Sequence, residues 1–425
     1  MSASTGLPLE PRSPPSAPVD ARAAQFRLYW AGQGISSLGD AFAFVAMPLL
    51  VLDVTGSVAS MGLVSATGVG AMVVAGLFSG AIVDRSNRRR LMIACDVGRS
   101  LAYGLVPVCW ALGLRSLALI FVTTAVGGLL GNLFQVAYVA ALPELVGRER
   151  LQRANSQMAA TQALAYVLGP LCAGAVAAHT GPATALAIDA LTFVFSAASI
   201  VAIDFGALPA GGAHSDRSAS AGLRYLFRHP LMRPMTILII ALGLTSNVGL
   251  SAGIVDLIIF HLKRDLVAGD RAVGLVLGVA SIGAVLAAAL APRLRRRLGF
   301  GACFLGGTML QAVGLLAIGL LHAAAVVAAG ALLWAGGLML RSVASQALRQ
   351  EITPPEMLGR AAAAYVTLAF ATSALGTTLV TRAGAHWGAT AALTAIGVSV
   401  LLVVLAGALT PVRRRYEGLP EESQV

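Results

Sequence analysis

The chain of 425 residues is 57% hydrophobic and only 12% charged, with a mean hydropathy of +0.81. Soluble domains contain about 25% charged residues, so a water-soluble fold is excluded. A membrane-spanning helix needs about 20 apolar residues, and the apolar content suffices for about a dozen. Aromatic residues make up 6% and there are 47 glycines, which favours helices packed through small residues over a barrel with aromatic girdles. We predict an all-α polytopic membrane protein.

The net charge of +11 does not indicate a nucleic-acid partner, because the basic residues form short clusters between long apolar runs, as membrane topology requires. The cysteines stand singly inside apolar segments, so neither a metal site nor a disulfide framework is predicted. Residues 1–25 contain five prolines and no apolar core of a signal peptide. We interpret them as a disordered cytoplasmic tail.

Stretches without charged residues locate the spans, because charges are costly in hydrocarbon. The two longest runs, 154–188 and 298–340, must each fold back as a hairpin, at residues 179–182 and near residues 321–322. Counting these hairpins, twelve spans are predicted over residues 28–52, 54–83, 91–114, 116–143, 154–188, 234–255, 272–292, 298–340, 361–381 and 383–410. With the N-terminus inside, twenty-three basic residues fall on the inner side and four on the outer side, which predicts that both termini are cytoplasmic.

The chain also contains an internal repeat. Residues 143–148, Pro-Glu-Leu-Val-Gly-Arg, recur as residues 355–360, Pro-Glu-Met-Leu-Gly-Arg, and residues 179–181 match residues 386–388 at an offset of 207. We predict two parallel six-helix bundles, 26–204 and 233–411, followed by a cytoplasmic tail at 412–425. The linker at 205–232 is predicted to contain an amphipathic helix on the membrane face, because apolar and basic residues alternate between Leu223 and Arg228.

Asp40 is the most informative single residue of the first span. Gln33, Ser36, Ser37 and Asp40 lie on one helical face of this otherwise uncharged span, and such a face must contact protein or a water-filled cavity. Desolvation favours the protonated form of a carboxyl group. The sequence therefore suggests a proton carrier at Asp40, and the alternative is a structural carboxyl group that fixes a helix contact beside Gly39.

Several motifs resemble the major facilitator superfamily. Residues 80–90 resemble its GxxxDRxGRR signature after the second helix, with Asn87 in place of the second glycine. Residues 169–174, with Gly169, Pro170 and Gly174, resemble the GPxxG element of exporters. Together with residues 26–40 and 143–155, they resemble the macrolide-efflux and enterobactin-exporter branch. The basic residue that many drug antiporters carry in span 4 is absent, because Arg115 precedes that span.

The resemblance implies a conformational latch between the two halves at the residues of this signature. The alternative is that the basic residues 88–90 only determine the membrane topology. Asp96 and Arg99, an i,i+3 pair, either extend this latch or simply pair with each other at the membrane interface. The complete set of predicted latch residues is Gly80, Asp84, Arg85, Arg88, Arg89, Asp96 and Arg99.

The resemblance also implies that spans 1, 4, 7 and 10 line a central cavity. The polar residues of these spans are the substrate-cavity candidates: Gln33, Ser36, Ser37, Asn132, Gln135, Tyr138, Asn247, Arg341 and Gln346. Asp256 is a second proton-coupling candidate, or alternatively an interface charge that pairs with Lys263 or Arg264. Asp189 in span 6 is given no definite role.

The leading interpretation is a secondary transporter of the bacterial plasma membrane that exports an amphipathic or hydrophobic small molecule, such as a drug, antibiotic or siderophore-like metabolite, in exchange for protons. The alternatives are proton-coupled uptake of a metabolite, and a receptor or scramblase on the same scaffold. No catalytic constellation, metal-ligand spacing or ATP-binding loop is present in the sequence. We expect no enzymatic activity and no cofactor, with protons, a small-molecule substrate and the lipid bilayer as partners of a monomer.

Overall fold

The computed structural model describes residues 19–147, 150–203, 219–246, 252–321 and 323–413. The described residues form helices without strands, so the all-α prediction is confirmed. The helices are α1 Val19–Thr55, α2 Val58–Arg85, α3 Arg88–Ala111, α4 Leu117–Val146, α5 Leu151–Thr180, α6 Pro182–Val201, α7 Ala219–Arg228, α8 Met232–Ser246, α9 Ala252–Phe260, α10 Asp270–Leu320, α11 Ala324–Ile352, α12 Pro355–Trp387 and α13 Ala389–Ala408.

Ten helices of the described chain are long and apolar enough to cross a membrane. α10 accounts for two crossings, because Gly299 interrupts its 51 residues with a φ of 82°, a conformation that glycine adopts readily. The shorter α8 and α9 together supply one more. The described helices are thus compatible with the twelve predicted crossings. We call the side where α1 begins and α13 ends the terminal side, and the opposite side the distal side.

Several boundaries differ from the sequence prediction. α12 runs through Arg382 to Trp387, whereas the prediction separated two spans at residue 382. α1 begins at Val19, inside the segment predicted to be a disordered tail, because several alanines follow that residue and alanine favours helix. α9 continues past Asp256 to Phe260 and into a short π-helical turn, His261–Asp265, where the prediction ended the span at residue 255. The helix continues because the Asp256 side chain is buried against protein and not exposed to lipid. Residues 1–18, 204–218 and 414–425 of the predicted tails and linker lie outside the described residues.

The internal repeat is visible in the backbone. Gly181 joins α5 to α6 with a φ of 89°, and Gly388 joins α12 to α13 with a φ of 86°. These two glycines are related by the offset of 207 seen in the sequence. Within the predicted linker, α7 packs against α8 and α12, with Leu226 fully buried while Leu223 and Phe227 remain exposed.

The buried apolar residues form three clusters, and only one of them contains residues of both halves. One large core on the distal side contains residues of both halves, including Leu50 of α1 and Val273 of α10. On the terminal side, one core around Tyr29 and Met92 belongs to the first half, and another around Met232 and Phe300 belongs to the second half. The described halves are therefore joined at the distal side and separated at the terminal side.

Candidate functional site

The distal contact between the halves is built from small residues on two helix pairs. α5 packs against α10, and α2 packs against α12. A Cβ atom added to Gly174 would lie 2.6 Å from the Cα atom of Gly274 and 2.8 Å from the carbonyl oxygen of Asp270. A Cβ atom added to Gly274 would lie 2.5 Å from the carbonyl oxygen of Pro170. The two backbones therefore touch, and no side chain fits between them.

Residues 169–174, which resemble the GPxxG element, thus form much of this contact. Pro170 and Gly174 face α10 of the second half, whereas Gly169 faces Ala41 of α1 within its own half. On the other helix pair, Gly62 of α2 lies directly against the side chain of Thr381 on α12. Close backbone approach through glycine is how membrane helices gain packing energy, so the distal side is tightly closed.

The terminal side contains open cavities next to α1, α4 and α5. One cavity of about 180 Å³ has a polar wall that includes four of the predicted cavity residues, Gln33, Ser37, Gln135 and Tyr138. Tyr138 also stacks on Tyr29, with ring centroids 6.0 Å apart. A neighbouring cavity of about 470 Å³ lies nearer the helix ends and includes Arg27, Trp30, Arg150, Arg153 and Gln157 in its wall.

The other predicted cavity residues lie elsewhere. Ser36 is buried, Gln346 is exposed, and Asn132 accepts a hydrogen bond of 2.7 Å from the Ser79 hydroxyl of α2. Arg341 is almost fully buried where α11 packs on α10, and its Nε and Nη2 atoms have no hydrogen-bond partner among the described residues. Asn247 lies outside the described residues.

A charged network connects three helices of the first half. The Arg99 guanidinium of α3 pairs with Asp40 of α1, and its Nη1 atom lies 3.8 Å from Oδ1 of Asp96. The second oxygen of Asp96 accepts a hydrogen bond of 2.6 Å from Ser196 on α6, and Gln33 donates one of 2.9 Å to the same hydroxyl. The structure therefore brings Asp96 and Arg99 to Asp40, although the sequence grouped them with the latch.

Aromatic and acidic groups of α6 complete this network. The Phe193 ring lies 3.8 Å beneath the Arg99 guanidinium, an arrangement that favours the cation. Asp189 is fully buried beside α1, and a Cβ atom added to Gly39 would lie 2.6 Å from its Oδ1 atom. Gly39 thus lets α6 approach Asp40 closely. Asp189, which the sequence analysis left without a role, belongs to this site.

Asp40 itself is not buried, contrary to the sequence expectation. Its side chain is 49% exposed, whereas those of Asp96 and Asp189 are fully buried. Asp40 contributes to the wall of a third cavity, of about 230 Å³, between the two halves. The polar face of α1 is therefore not uniformly buried: Gln33 donates a hydrogen bond to Ser196 of α6, whereas Asp40 borders the cavity. It is thus the carboxyl group of the network that solvent reaches.

Asp256 of α9 lies in the wall of the same third cavity. It is fully buried and forms no ion pair among the residues that the structure describes. The predicted alternative, a pair with Lys263 or Arg264, is not formed. The Lys263 ammonium group binds Asp270 at 2.7 Å, and the Arg264 guanidinium lies against Gly56 at the turn between α1 and α2. Asp256 therefore borders the cavity between the halves, and its role in proton coupling stays a prediction.

The predicted latch residues remain within the first half in this conformation. Arg89 donates to the carbonyl oxygens of Ile200 and Val201, the last residues of α6, where a cation is favoured by the helix dipole. Arg88 donates to the carbonyl oxygen of Ala140 on α4 at 3.3 Å. Asn87, the departure from the signature, accepts a hydrogen bond of 3.0 Å from the Arg90 amide and caps α3.

The remaining latch residues lie on the open terminal side. Gly80 is half-buried, and Asp84 and Arg85 are exposed without an ion pair in the described ranges. Gly80, Asp84 and Arg85 do not contact the second half in the part of the chain that the structure describes, because the two apolar cores on the terminal side are separate. The latch therefore stays a prediction, and it concerns the state in which the terminal side is closed.

Comparison with known proteins gives the family. Residues 14–422 match the model of the transmembrane secretion effector family. The chain is 31% identical to the multidrug efflux pump Tap of Mycolicibacterium fortuitum over 221 residues, 48% of this chain and about half (53%) of that protein. It is 25% identical to the enterobactin exporter EntS of Escherichia coli O127:H6 over 404 residues, 93% of this chain and 94% of that protein.

Two solved structures have the same fold. The nucleoside transporter NupG is 11% identical with a TM-score of 0.71, covering 90% of this chain and 98% of that chain. A bacterial homologue of the iron transporter ferroportin in an inward-facing state is 20% identical with a TM-score of 0.65, covering 91% and 98%. On the family match and on this fold, the chain belongs to the transmembrane secretion effector family of the major facilitator superfamily.

Proposed function

We propose that this protein is a secondary transporter that exports a small amphipathic molecule from a bacterial cell in exchange for protons. The observation that supports it best is the arrangement of the apolar cores. One core joins both halves on the distal side, whereas each half has its own separate core on the terminal side. Two rigid halves that close at one side and open at the other are what alternating access requires. The printed names of the relatives, a multidrug efflux pump and an enterobactin exporter, favour export over uptake.

The terminal side is assigned to the cytoplasm on the distribution of basic residues. In that orientation the structure is an inward-open state, and the polar cavity with Gln33 and Gln135 loads substrate from the cell interior. The tight distal contact at Gly174 must then separate to release it. In the same step the terminal side closes, and Asp84 of the latch comes within reach of the second half.

Proton coupling is assigned to the charged network of the first half. Three carboxyl groups, on Asp40, Asp96 and Asp189, surround the single cation of Arg99. Two uncompensated negative charges inside a membrane bundle are costly, so the network favours proton uptake. Asp40 is the half-exposed member in contact with the cavity, and we therefore retain it as the residue that exchanges protons with water.

Asp40→Asn is expected to abolish gradient-driven efflux while leaving downhill exchange of substrate intact, because the amide keeps the hydrogen-bonding shape but does not titrate. A coupled proton provides about 1.4 kcal/mol per pH unit, so losing it lowers the attainable substrate gradient about tenfold per unit. The measurement is dye accumulation in inside-out vesicles with an imposed pH gradient. Asp53→Asn, on the exposed distal end of α1, is the matched control. Wild-type accumulation by Asp40→Asn would exclude it as the essential carrier.

The topology is tested with single cysteines in a variant that lacks the four native ones. Arg90 is exposed on the terminal side, and Leu114 is 60% exposed on the distal side. We expect a membrane-impermeant maleimide to label Leu114→Cys in intact cells, and to label Arg90→Cys only after the membrane is opened. The reverse pattern would contradict the cytoplasmic assignment of the terminal side and, with it, the direction of transport.

A further inference from the structure

The cavity of about 470 Å³ near the helix ends of the terminal side is lined by three arginines, and we call it the arginine cavity. Arg27 belongs to α1, and Arg150 and Arg153 lie at the start of α5. All three residues are exposed, and none forms an ion pair among the residues that the structure describes. Topology requires that they lie on the same side of the membrane, but not that they share one cavity. Because like charges repel each other, the cavity favours an anion from outside the protein.

Aromatic side chains place this cavity at the membrane surface. Phe26 and Trp30 complete its wall from α1. The indole of Trp30 donates a hydrogen bond of 2.8 Å to the Thr161 hydroxyl of α5, which holds the ring where the two helices meet. Tryptophan is enriched at the boundary between water and hydrocarbon, at the level of the lipid head groups. The arginine cavity therefore lies at the depth of these head groups.

The arginine cavity and the polar cavity lie on different faces of α5. Residues of this helix in the wall of the arginine cavity are Arg150, Arg153, Ala154 and Gln157, and those in the wall of the polar cavity are Asn155, Met158, Ala159 and Gln162. With 3.6 residues per turn, the mean directions of these two sets differ by about 140°. The arginine cavity thus lies on the side of α5 that is turned away from the polar cavity.

The same face of α5 continues as an exposed apolar surface. Leu164 and Leu168 follow Gln157 by seven and eleven residues, which places all three side chains in line on the helix. Both leucines are exposed. On a membrane-spanning helix, apolar residues of this kind face the hydrocarbon chains of the lipid. A basic cavity at the membrane surface with an apolar surface beneath it matches a phospholipid, whose charged head group is joined to acyl chains.

We propose that the arginine cavity binds the head group of an anionic phospholipid, with the phosphate at its three arginines and an acyl chain along Leu164 and Leu168. Guanidinium groups bind phosphate oxygens through paired hydrogen bonds, and basic pockets between spanning helices bind anionic head groups. The volume of the cavity lies within the 300–1,000 Å³ typical of small-molecule sites, which suffices for a head group. The bound lipid contacts α1 and α5 together. The site depends neither on the exported substrate nor on the direction of transport.

The experiment compares two lipids that share their acyl chains and differ in net charge. Full-length protein in detergent is mixed with equal amounts of dioleoylphosphatidylglycerol and dioleoylphosphatidylcholine, and the bound lipid is identified by native mass spectrometry. The wild type is expected to bind the anionic lipid at least tenfold in preference to the zwitterionic one. The triple variant Arg27→Gln, Arg150→Gln, Arg153→Gln is expected to lose this preference. Its Tm should equal that of the wild type, because the three residues are exposed.

The matched control is the triple variant Arg90→Gln, Arg293→Gln, Arg296→Gln. It removes the same charge from exposed positions of the terminal side outside the arginine cavity, and it should keep the preference. Equal binding of the two lipids by the wild type, or a preference that persists without the cavity arginines, would overturn the proposal. An equal loss in the control variant would also overturn it, because the preference would then reflect overall charge. Displacement of the bound lipid by an equal concentration of glycerol phosphate would show a site for free phosphate esters and would overturn the lipid assignment.

Discussion

Gly174→Leu is expected to reduce transport by at least tenfold while leaving the protein inserted in the membrane. A Cβ atom alone would lie 2.6 Å from the Cα atom of Gly274, and because that atom is backbone, only separation of α5 and α10 makes room. Overpacking of this kind costs about 1–3 kcal/mol. It disfavours the state that is closed on the distal side, whereas each half keeps its own packing. Since about 1.4 kcal/mol changes a population ratio tenfold, the alternating cycle is strongly biased toward the distally open state.

Cavity accessibility separates this effect from simple misfolding. A cysteine at Ser65, in the wall of the cavity between the halves, should react faster with an impermeant maleimide from the distal side in Gly174→Leu than in the parent protein. Gly76→Leu is the matched control, because a Cβ atom at Gly76 has no heavy atom within 4 Å and should change neither transport nor labelling. Unchanged labelling together with unchanged transport in Gly174→Leu would show that the α5 and α10 contact does not gate the distal side.

Most of the fold can be predicted from the sequence, because the hydrocarbon core of a membrane excludes charged side chains from the spans. Runs without charged residues locate spans directly, and the repeat at an offset of 207 anticipates the paired turns at Gly181 and Gly388. The connection between the two crossings of α10 is less predictable. The sequence places it at the basic residues 293–297, but the helix continues through them and breaks at Gly299. Arginine is a good helix former, so a run of arginines does not end a helix. The basic residues indicate where the chain reaches the membrane surface, and the helix ends at the glycine that follows them.

The site was less predictable because it depends on which helices are neighbours. The polar stripe on α1 identifies Asp40, but nothing in that stripe reveals that Arg99 of α3 is its partner. One signal on α6 was overlooked: Asp189, Thr192, Ser196 and Ser199 recur at intervals of three and four residues and form a polar face. That face meets the α1 face marked by Gly32 and Gly39. Matching a polar stripe on one helix with a glycine stripe on another would have suggested the pairing.

Arg99→Gln is expected to cause the largest loss of both stability and transport in the first half. The substitution removes the cation that pairs with Asp40 and lies beside Asp96. Asp96 is fully buried, and leaving a buried charge uncompensated costs about 3–5 kcal/mol. The half-exposed Asp40 contributes less to this loss, because solvent screens its charge. The free energy of unfolding of the purified protein in detergent, or its Tm, is the measurement. Arg115→Gln, at an exposed distal position, is the matched control and should change neither quantity.

The double variant Arg99→Gln with Asp40→Asn shows whether charge balance is the cause. If the lost stability comes from an unpaired carboxylate at position 40, the second substitution should restore most of it, and the two effects should be strongly non-additive. Gradient-driven transport should stay absent, because the double variant has neither the cation nor the titrating group. Restored stability with restored transport would remove Asp40 from proton coupling. If stability returns instead with Asp189→Asn, the charge that Arg99 balances lies on the buried carboxyl group of α6, and Asp40 only borders the cavity.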